Sequence, residues 1–257
     1  MLGAIAGDLV GSVHEYYGIK TKDFELVHPK ATITDDSILT VAVAEWLLRG
    51  TDLVRRFHQL VAAYPGAGWG GMFARWASQR RTAPYNSCGN GAAMRVSPVG
   101  WAFPDLETTL DAAARSAAVT HDHPEGMKGA QAAAAAVFLA RTTHDKNVIR
   151  REITGRFGYD LARTVDGIRP AYRFDETCQR TVPEAIISFL DSTRFEDALR
   201  NAVSLGGDAD TLACIAGGIA HAYYGGVPAT LASAAVTALP EPLRQVWKEF
   251  QARYAVP

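Results

Sequence analysis

Gly206-Gly207-Asp208-Ala209-Asp210-Thr211-Leu212-Ala213-Cys214-Ile215-Ala216-Gly217-Gly218-Ile219-Ala220 is the stretch on which the reading of the fold turns. From Leu212 to Ala220 the residues are apolar nearly all round, so the spacing predicts a helix over 209–224 that is central and buried. A second run of the same character, from Ile38 through Leu48, predicts another buried helix over 36–49. Around these two, Ala- and Leu-rich segments recur while alternating Val/Ile runs of strand type are scarce, which predicts an all-α fold. Further helices are expected over about 3–16, 51–63, 106–119, 124–141, 145–156, 183–191, 194–204 and 241–254, with ends uncertain by a few residues. Two long loops, 64–105 and 157–182, remain, and long irregular segments inside a compact domain are usually functional.

No Pro/Ser linker, charge block or fixed-period repeat divides the chain, so one helical domain over 1–257 is expected. The 26 Lys and Arg nearly balance the 27 Asp and Glu, which gives no basis for nucleic-acid or acidic-membrane binding; an anion, if bound, is bound locally. Cys88, Cys178 and Cys214 are odd in number and lack C-x-x-C spacing, against a disulfide framework or zinc ribbon and in favour of a cytoplasmic location. The N-terminal stretch lacks a basic leader and meets Asp8 early, unlike a signal peptide. Gly3, Gly7 and Gly11 place a small-residue stripe on the first helix, read as tight packing against another backbone.

Both buried helices open on acids: Thr34-Asp35-Asp36 before one, Asp208-Ala209-Asp210-Thr211 at the start of the other. Capping is the plain explanation for a single Asp, since Asp and Thr accept bonds from free helix N–H groups. A cap, however, needs one oxygen, and each cluster supplies two carboxylates and a hydroxyl. Crowded carboxylates repel unless protonated or bridged by a cation. Ligands that are all oxygen suit magnesium or manganese better than zinc. Asp8, Ser12 and Glu15 fall at i, i+4 and i+7, which predicts one polar stripe along a continuous first helix.

Five blocks in this order resemble the ADP-ribosylglycohydrolases: Gly3 through Asp8 with Gly11 and Glu15; Thr34-Asp35-Asp36-Ser37; Gly89-Asn90-Gly91 through Met94-Arg95; Thr120-His121; and Gly206-Gly207-Asp208-Ala209-Asp210-Thr211. The resemblance implies an all-α bundle with two Mg2+ ions, or Mn2+ in their place, in a central cleft. It implies that Thr34, Asp35 and Asp36 hold one ion together with Asp210, and that Asp208, Asp210 and Thr211 hold the second, with Asp210 as bridge. Ser37, where many relatives have Thr, lies outside that set. With Asp36 and Asp210, Glu15 completes the group to which catalysis is assigned. Ser87, Gly89, Asn90 and Gly91 would offer donors to a diphosphate, and His121 would contact the substrate; Trp69 and Tyr85 are loop aromatics suited to adenine or to the core. The implied reaction releases ADP-ribose from a modified protein or small molecule by cutting the bond at the anomeric carbon of the distal ribose.

Two other readings compete. His121-Asp122 and His123 point toward a metal phosphohydrolase of the HD type, but His14, His28 and His58 form no supporting doublets. A non-catalytic ADP-ribose-binding module would be expected to have lost metal ligands, and all six positions are filled.

Overall fold

The computed structural model describes residues 1–257 as fifteen helices: α1 (Leu2–Gly11), α2 (Asp35–Arg49), α3 (Leu53–Ala63), α4 (Gly71–Ser78), α5 (Gly91–Met94), α6 (Val99–Ala102), α7 (Leu106–Ala118), α8 (Pro124–Thr143), α9 (Lys146–Phe157), α10 (Val165–Ile168), α11 (Cys178–Leu190), α12 (Phe195–Val203), α13 (Ala209–Tyr224), α14 (Ala229–Ala238) and α15 (Glu241–Tyr254). There is no strand, only an isolated bridge between Gly89 and Thr177. No helix is long and apolar enough to cross a membrane.

The helix predicted as central is central. α13 is buried from Ala209 through Ala222 and packs against α1, α8, α11 and α12. Its closest neighbour is α1, which is buried along its whole length. The glycine stripe explains the approach: a Cβ on Gly7 would drive into the Ala213 carbonyl, and the stripe brings the two backbones into direct contact. Because Gly11 likewise meets the Ala209 carbonyl, next to Asp210, the stripe also sets Asp8, the one acid of α1, beside the start of α13. α2 lies against α1, α3 and α15, with Asp36 through Ala44 buried.

The structure corrects the expected elements in four places. The first helix stops at Gly11 instead of running to 16. Ser12 Oγ donates to the Leu9 carbonyl and accepts from Thr32 N–H, and His14 N–H turns back to Gly11, so the chain leaves the helix and the expected Asp8-Ser12-Glu15 stripe does not exist. The 64–105 loop contains α4, α5 and α6. The 157–182 loop contains α10 and the start of α11, which begins five residues before Pro183; Cys178 N–H bonds Cys88 O at 3.0 Å, so contact with the 87–91 segment starts the helix early and carries the proline inside it. α14, between Pro228 and Pro240, was not expected; its run of small residues gives little amphipathic contrast.

Candidate active site

The site is assembled where the N-termini of α2 and α13 meet the C-terminal half of α1. Asp8 is fully buried and organises the α2 entry: its carboxylate accepts from Thr34 N (3.0 Å), Thr34 Oγ1 (2.8 Å), Ser37 N (3.1 Å) and Ser37 Oγ. Thr34 caps α2, its hydroxyl oxygen accepting from Asp36 N at 3.3 Å. One residue therefore does the capping, and the carboxylates of Asp35 and Asp36 are left free of it.

At α13 the capping explanation fails outright. Asp208 occupies the N-cap position but its side chain makes no cap bond. Its Oδ2 instead accepts from Asn90 Nδ2 at 2.7 Å, and the same amide donates to Thr181 Oγ1 at 3.1 Å. Gly206, at φ +64°, supplies the left-handed turn that aims this entry inward. Thr211 Oγ1 lies 3.3 Å from Asp36 Oδ2, which joins the two clusters across 175 positions of sequence.

Carboxylate oxygens of Asp8, Asp36 and Asp210 come within 4.8 Å of one another, as do those of Glu15, Asp208 and Asp210. Asp210 belongs to both groups. Burial first, then the Asp210 charge, pushes the carboxyls of Asp35, Asp36 and Asp208 well above the usual range and that of Asp8 to about 7. Glu15, half-buried, is raised to about 7 by the same two causes. Such a concentration of negative charge is costly without a cation. The residues fit a hard divalent ion: the donors are all oxygen, and Asp36 Oδ1 is buried with no partner of its own. Asp8 does not fit as a ligand, because four donors already occupy its carboxylate; it holds the α2 entry in shape.

Beyond the acids the cleft continues, with a volume of about 340 Å³, past Ser87, Gly89, Asn90, Gly91, Tyr85, Arg95 and His121. This is within the usual size range of small-ligand pockets. All five sequence-predicted substrate residues line it. Three of their expected donors are used otherwise: the Asn90 amide is committed to Asp208 and Thr181, Asn90 N–H bonds Glu176 O at 2.7 Å, and Gly89 N–H bonds Ser87 Oγ. Ser87 Oγ accepts from Gly89 N–H at 3.1 Å, so its own proton remains available to the cleft. Gly91 leaves room for His121, whose Nε2 would lie 3.2 Å from a Cβ there. Of the aromatics, Tyr85 lines this cleft, while Trp69 packs on Phe73 and faces an adjoining cavity.

The His121-Asp122-His123 stretch forms no metal site. Asp122 accepts from Asn86 N–H at 2.7 Å, His123 caps α8 through Glu125 N–H, and neither carboxylate grouping includes a histidine.

A family model described as ADP-ribosylglycohydrolase matches residues 1–255. The chain belongs to the ADP-ribosylglycohydrolase family. Its members are hydrolases acting on ADP-ribose linkages. The chain is similar to ADP-ribosylhydrolase ARH3 of Mus musculus, at 26% identity over 88% of this chain and 82% of that one. It is also similar to ADP-ribosyl-[dinitrogen reductase] glycohydrolase of Rhodospirillum rubrum, at 29% identity over 87% of this chain and 84% of that one. A solved structure titled ADP-ribosylglycohydrolase-related protein complex superposes with a TM-score of 0.73 and 26% identity, covering 99% of this chain and 96% of the other.

Within this ADP-ribosylglycohydrolase, sequence reasoning assigned no function to Asp8, Arg95 or Glu176, all of them at the site. A signal existed for Asp8, an acid inside a helix otherwise too apolar to reach solvent. Arg95 stood within a quoted motif without a role. For exposed Glu176, brought to the cleft by its carbonyl's bond to Asn90, there was none.

Proposed function

We propose that this chain is a metal-dependent hydrolase that releases ADP-ribose from a modified protein or small molecule by cleaving the bond between the anomeric carbon of the distal ribose and the acceptor. The observation that carries the reading is that Asp210 brings its carboxylate within 4.8 Å of those of both Asp36 and Asp208, at one end of a cleft whose other end is lined by hydroxyl, glycine and imidazole groups. Thr34, Asp35, Asp36, Asp208, Asp210 and Thr211 are the residues that would hold two divalent cations. Magnesium or manganese bound there supplies positive charge that fixes sugar hydroxyls and acidifies a water.

The protein's own groups divide the remaining work. Asp8 keeps Thr34 and Ser37 in place and so fixes the α2 entry from which Asp35 and Asp36 line the cleft. Asn90 keeps Asp208 turned inward. Glu15, beside Asp208 and Asp210 but outside the ligand set, is the carboxyl available to move a proton to the leaving acceptor atom or from the attacking water. The Ser87 hydroxyl and the Gly91 N–H, with Gly89 allowing close approach, receive the diphosphate.

Incubation with a panel of ADP-ribosyl-arginine, ADP-ribosyl-serine and other defined linkages, with magnesium or with EDTA, tests this. Magnesium-dependent appearance of free ADP-ribose from at least one linkage is expected. Phosphate release from nucleotides, or ADP-ribose binding with no turnover of any linkage, would refute it.

A further inference from the structure

Arg95 closes the short helix α5 and is fully buried, with its guanidinium 4.7 Å from the centre of the Phe57 ring. Two of its nitrogens, Nε and Nη1, have no hydrogen-bond partner. The third, Nη2, donates to Ser116 O and to Thr120 Oγ1, both at 2.9 Å. Ser116 lies in the last turn of α7, where the negative end of the helix favours a cation.

The direction of the next bond follows from donor chemistry. A guanidinium only donates, so Thr120 Oγ1 accepts from it, and the threonine's single proton must point elsewhere. His121 Nδ1 lies 2.7 Å from that oxygen and is its other side-chain partner. Accepting from an Nδ1–H as well would leave the buried hydroxyl proton with no acceptor, so the hydroxyl donates to Nδ1, and a neutral imidazole whose Nδ1 accepts carries its proton on Nε2. Nε2 is the nitrogen at the cleft wall beside Gly89 and Gly91. Burial, and secondarily the Arg95 charge, holds the His121 ring well below its usual range, so it stays neutral.

We propose that Arg95 is a positioning residue that, through the Thr120 hydroxyl, locks His121 as the Nε2–H tautomer and so presents a fixed, uncharged donor to an anionic oxygen of the ligand in the cleft. The relay stands on this chain's own geometry; its use toward a diphosphate rests on the proposed ADP-ribosyl chemistry. The opposite tautomer would turn a lone pair toward the phosphate and repel it.

The relay is tested in the full chain without ligand, by 15N correlation spectroscopy of the imidazoles, with the His121 signals identified by their loss in His121→Gln. A single species with Nε2 protonated and Nδ1 bare is expected. Thr120→Val keeps the side-chain shape without the hydroxyl and should give a mixture of tautomers, while Thr120→Ser should restore the single species. An Nδ1–H tautomer in the parent chain, or no change in Thr120→Val, overturns the relay. Titration with ADP-ribose and magnesium reads the second half: Thr120→Val should weaken binding about tenfold and Thr120→Ser should recover it. A tautomer shift with unchanged affinity overturns the ligand contact. Failure of the parent chain to bind ADP-ribose overturns the proposed function and leaves the relay to the spectra.

Discussion

Asn90 Nδ2 donates to Asp208 Oδ2 at 2.7 Å, linking the middle loop to the start of α13 across 118 positions of sequence. The second amide bond, to Thr181 Oγ1, fixes the orientation of Asn90 itself. A carboxylate held this way is oriented before any cation arrives. Asn90→Ala should weaken magnesium or manganese binding about 10- to 100-fold, the usual cost of losing a partner behind a metal ligand. Asn90→Asp should do worse, because it adds a charge to a crowded site. Calorimetric titration with Mn2+ measures both, and unchanged affinity in Asn90→Ala would remove Asp208 from the ligand set.

Gly7 faces the Ala213 carbonyl with no room for a methyl group. Because the obstruction is backbone in a buried helix, it cannot be relieved by a side-chain rotation. Gly7→Ala should cost about 3 kcal/mol or more, visible in denaturant unfolding. It should also lower metal affinity, since α1 carries Asp8 and cannot move from α13 without disturbing the α2 entry. A variant of near-parent stability would show that the helices separate easily.

The buried carboxyls make stability depend on pH in a metal-sensitive way. Asp8 ionises at 3.8 in the unfolded chain and at about 7 in the folded one, raised by burial and then by Asp210 against the hydrogen bonds from Ser37 and Thr34. The unfolded chain therefore loses its proton first, so stability falls as pH rises from 3.8 to about 7 and is level above; for Asp8 alone the loss is on the order of 4 kcal/mol. Asp35, Asp36 and Asp208 act in the same direction. His221 acts oppositely: burial lowers it from 6.5 to about 3, so its contribution is lost as pH falls through that interval. The difference between magnesium and EDTA isolates the carboxylates. Magnesium should raise the melting temperature more at about pH 8 than at about pH 5. An equal rise at both would mean the ion does not neutralise these groups.

Legibility in the sequence followed the range of the interaction. α2 and α13 were readable because Ile38–Leu48 and Leu212–Ala220 carry their burial in their own composition. α5 and α6, four residues each, are shorter than any window in which a period can be recognised. The overrun past Gly11 has the same origin: the bond from Thr32 N–H to Ser12 Oγ that helps end α1 comes from another part of the chain. At the site, the acids announce their chemistry by residue type: Asp36, Asp208 and Asp210, read from two separate clusters, stand within reach of one another in the fold, while Asp35 lines the cleft outside both carboxylate groupings. What could not be read was how polar groups are paired once folded. Asn90 has the donors that a diphosphate needs, and only the tertiary structure shows them spent on Asp208 and Thr181.

Glu15 offers the sharpest separation of binding from chemistry. It lies off the end of α1, half-buried, with a carboxylate oxygen within 4.8 Å of those of Asp208 and Asp210. The turn at Ser12–His14 delivers it there, so its position belongs to the loop and not to a helical stripe. Glu15→Gln preserves size and hydrogen-bonding reach while removing the exchangeable proton. Affinity for ADP-ribose, measured by titration with magnesium, should therefore change little, whereas turnover of the cleavable linkage should fall about 10²- to 10⁴-fold, the range typical of losing a general acid or base. The pH dependence of the residual rate should also lose the ionisation that Glu15 contributes near neutrality, where burial and the Asp210 charge set it at about 7 in the metal-free protein. With cations bound, that ionisation in the parent enzyme should move downward, because positive charge favours the carboxylate. Parent-level turnover in Glu15→Gln would transfer the proton-moving role to another group; lost ADP-ribose affinity with turnover unchanged at saturation would make Glu15 a binding residue instead.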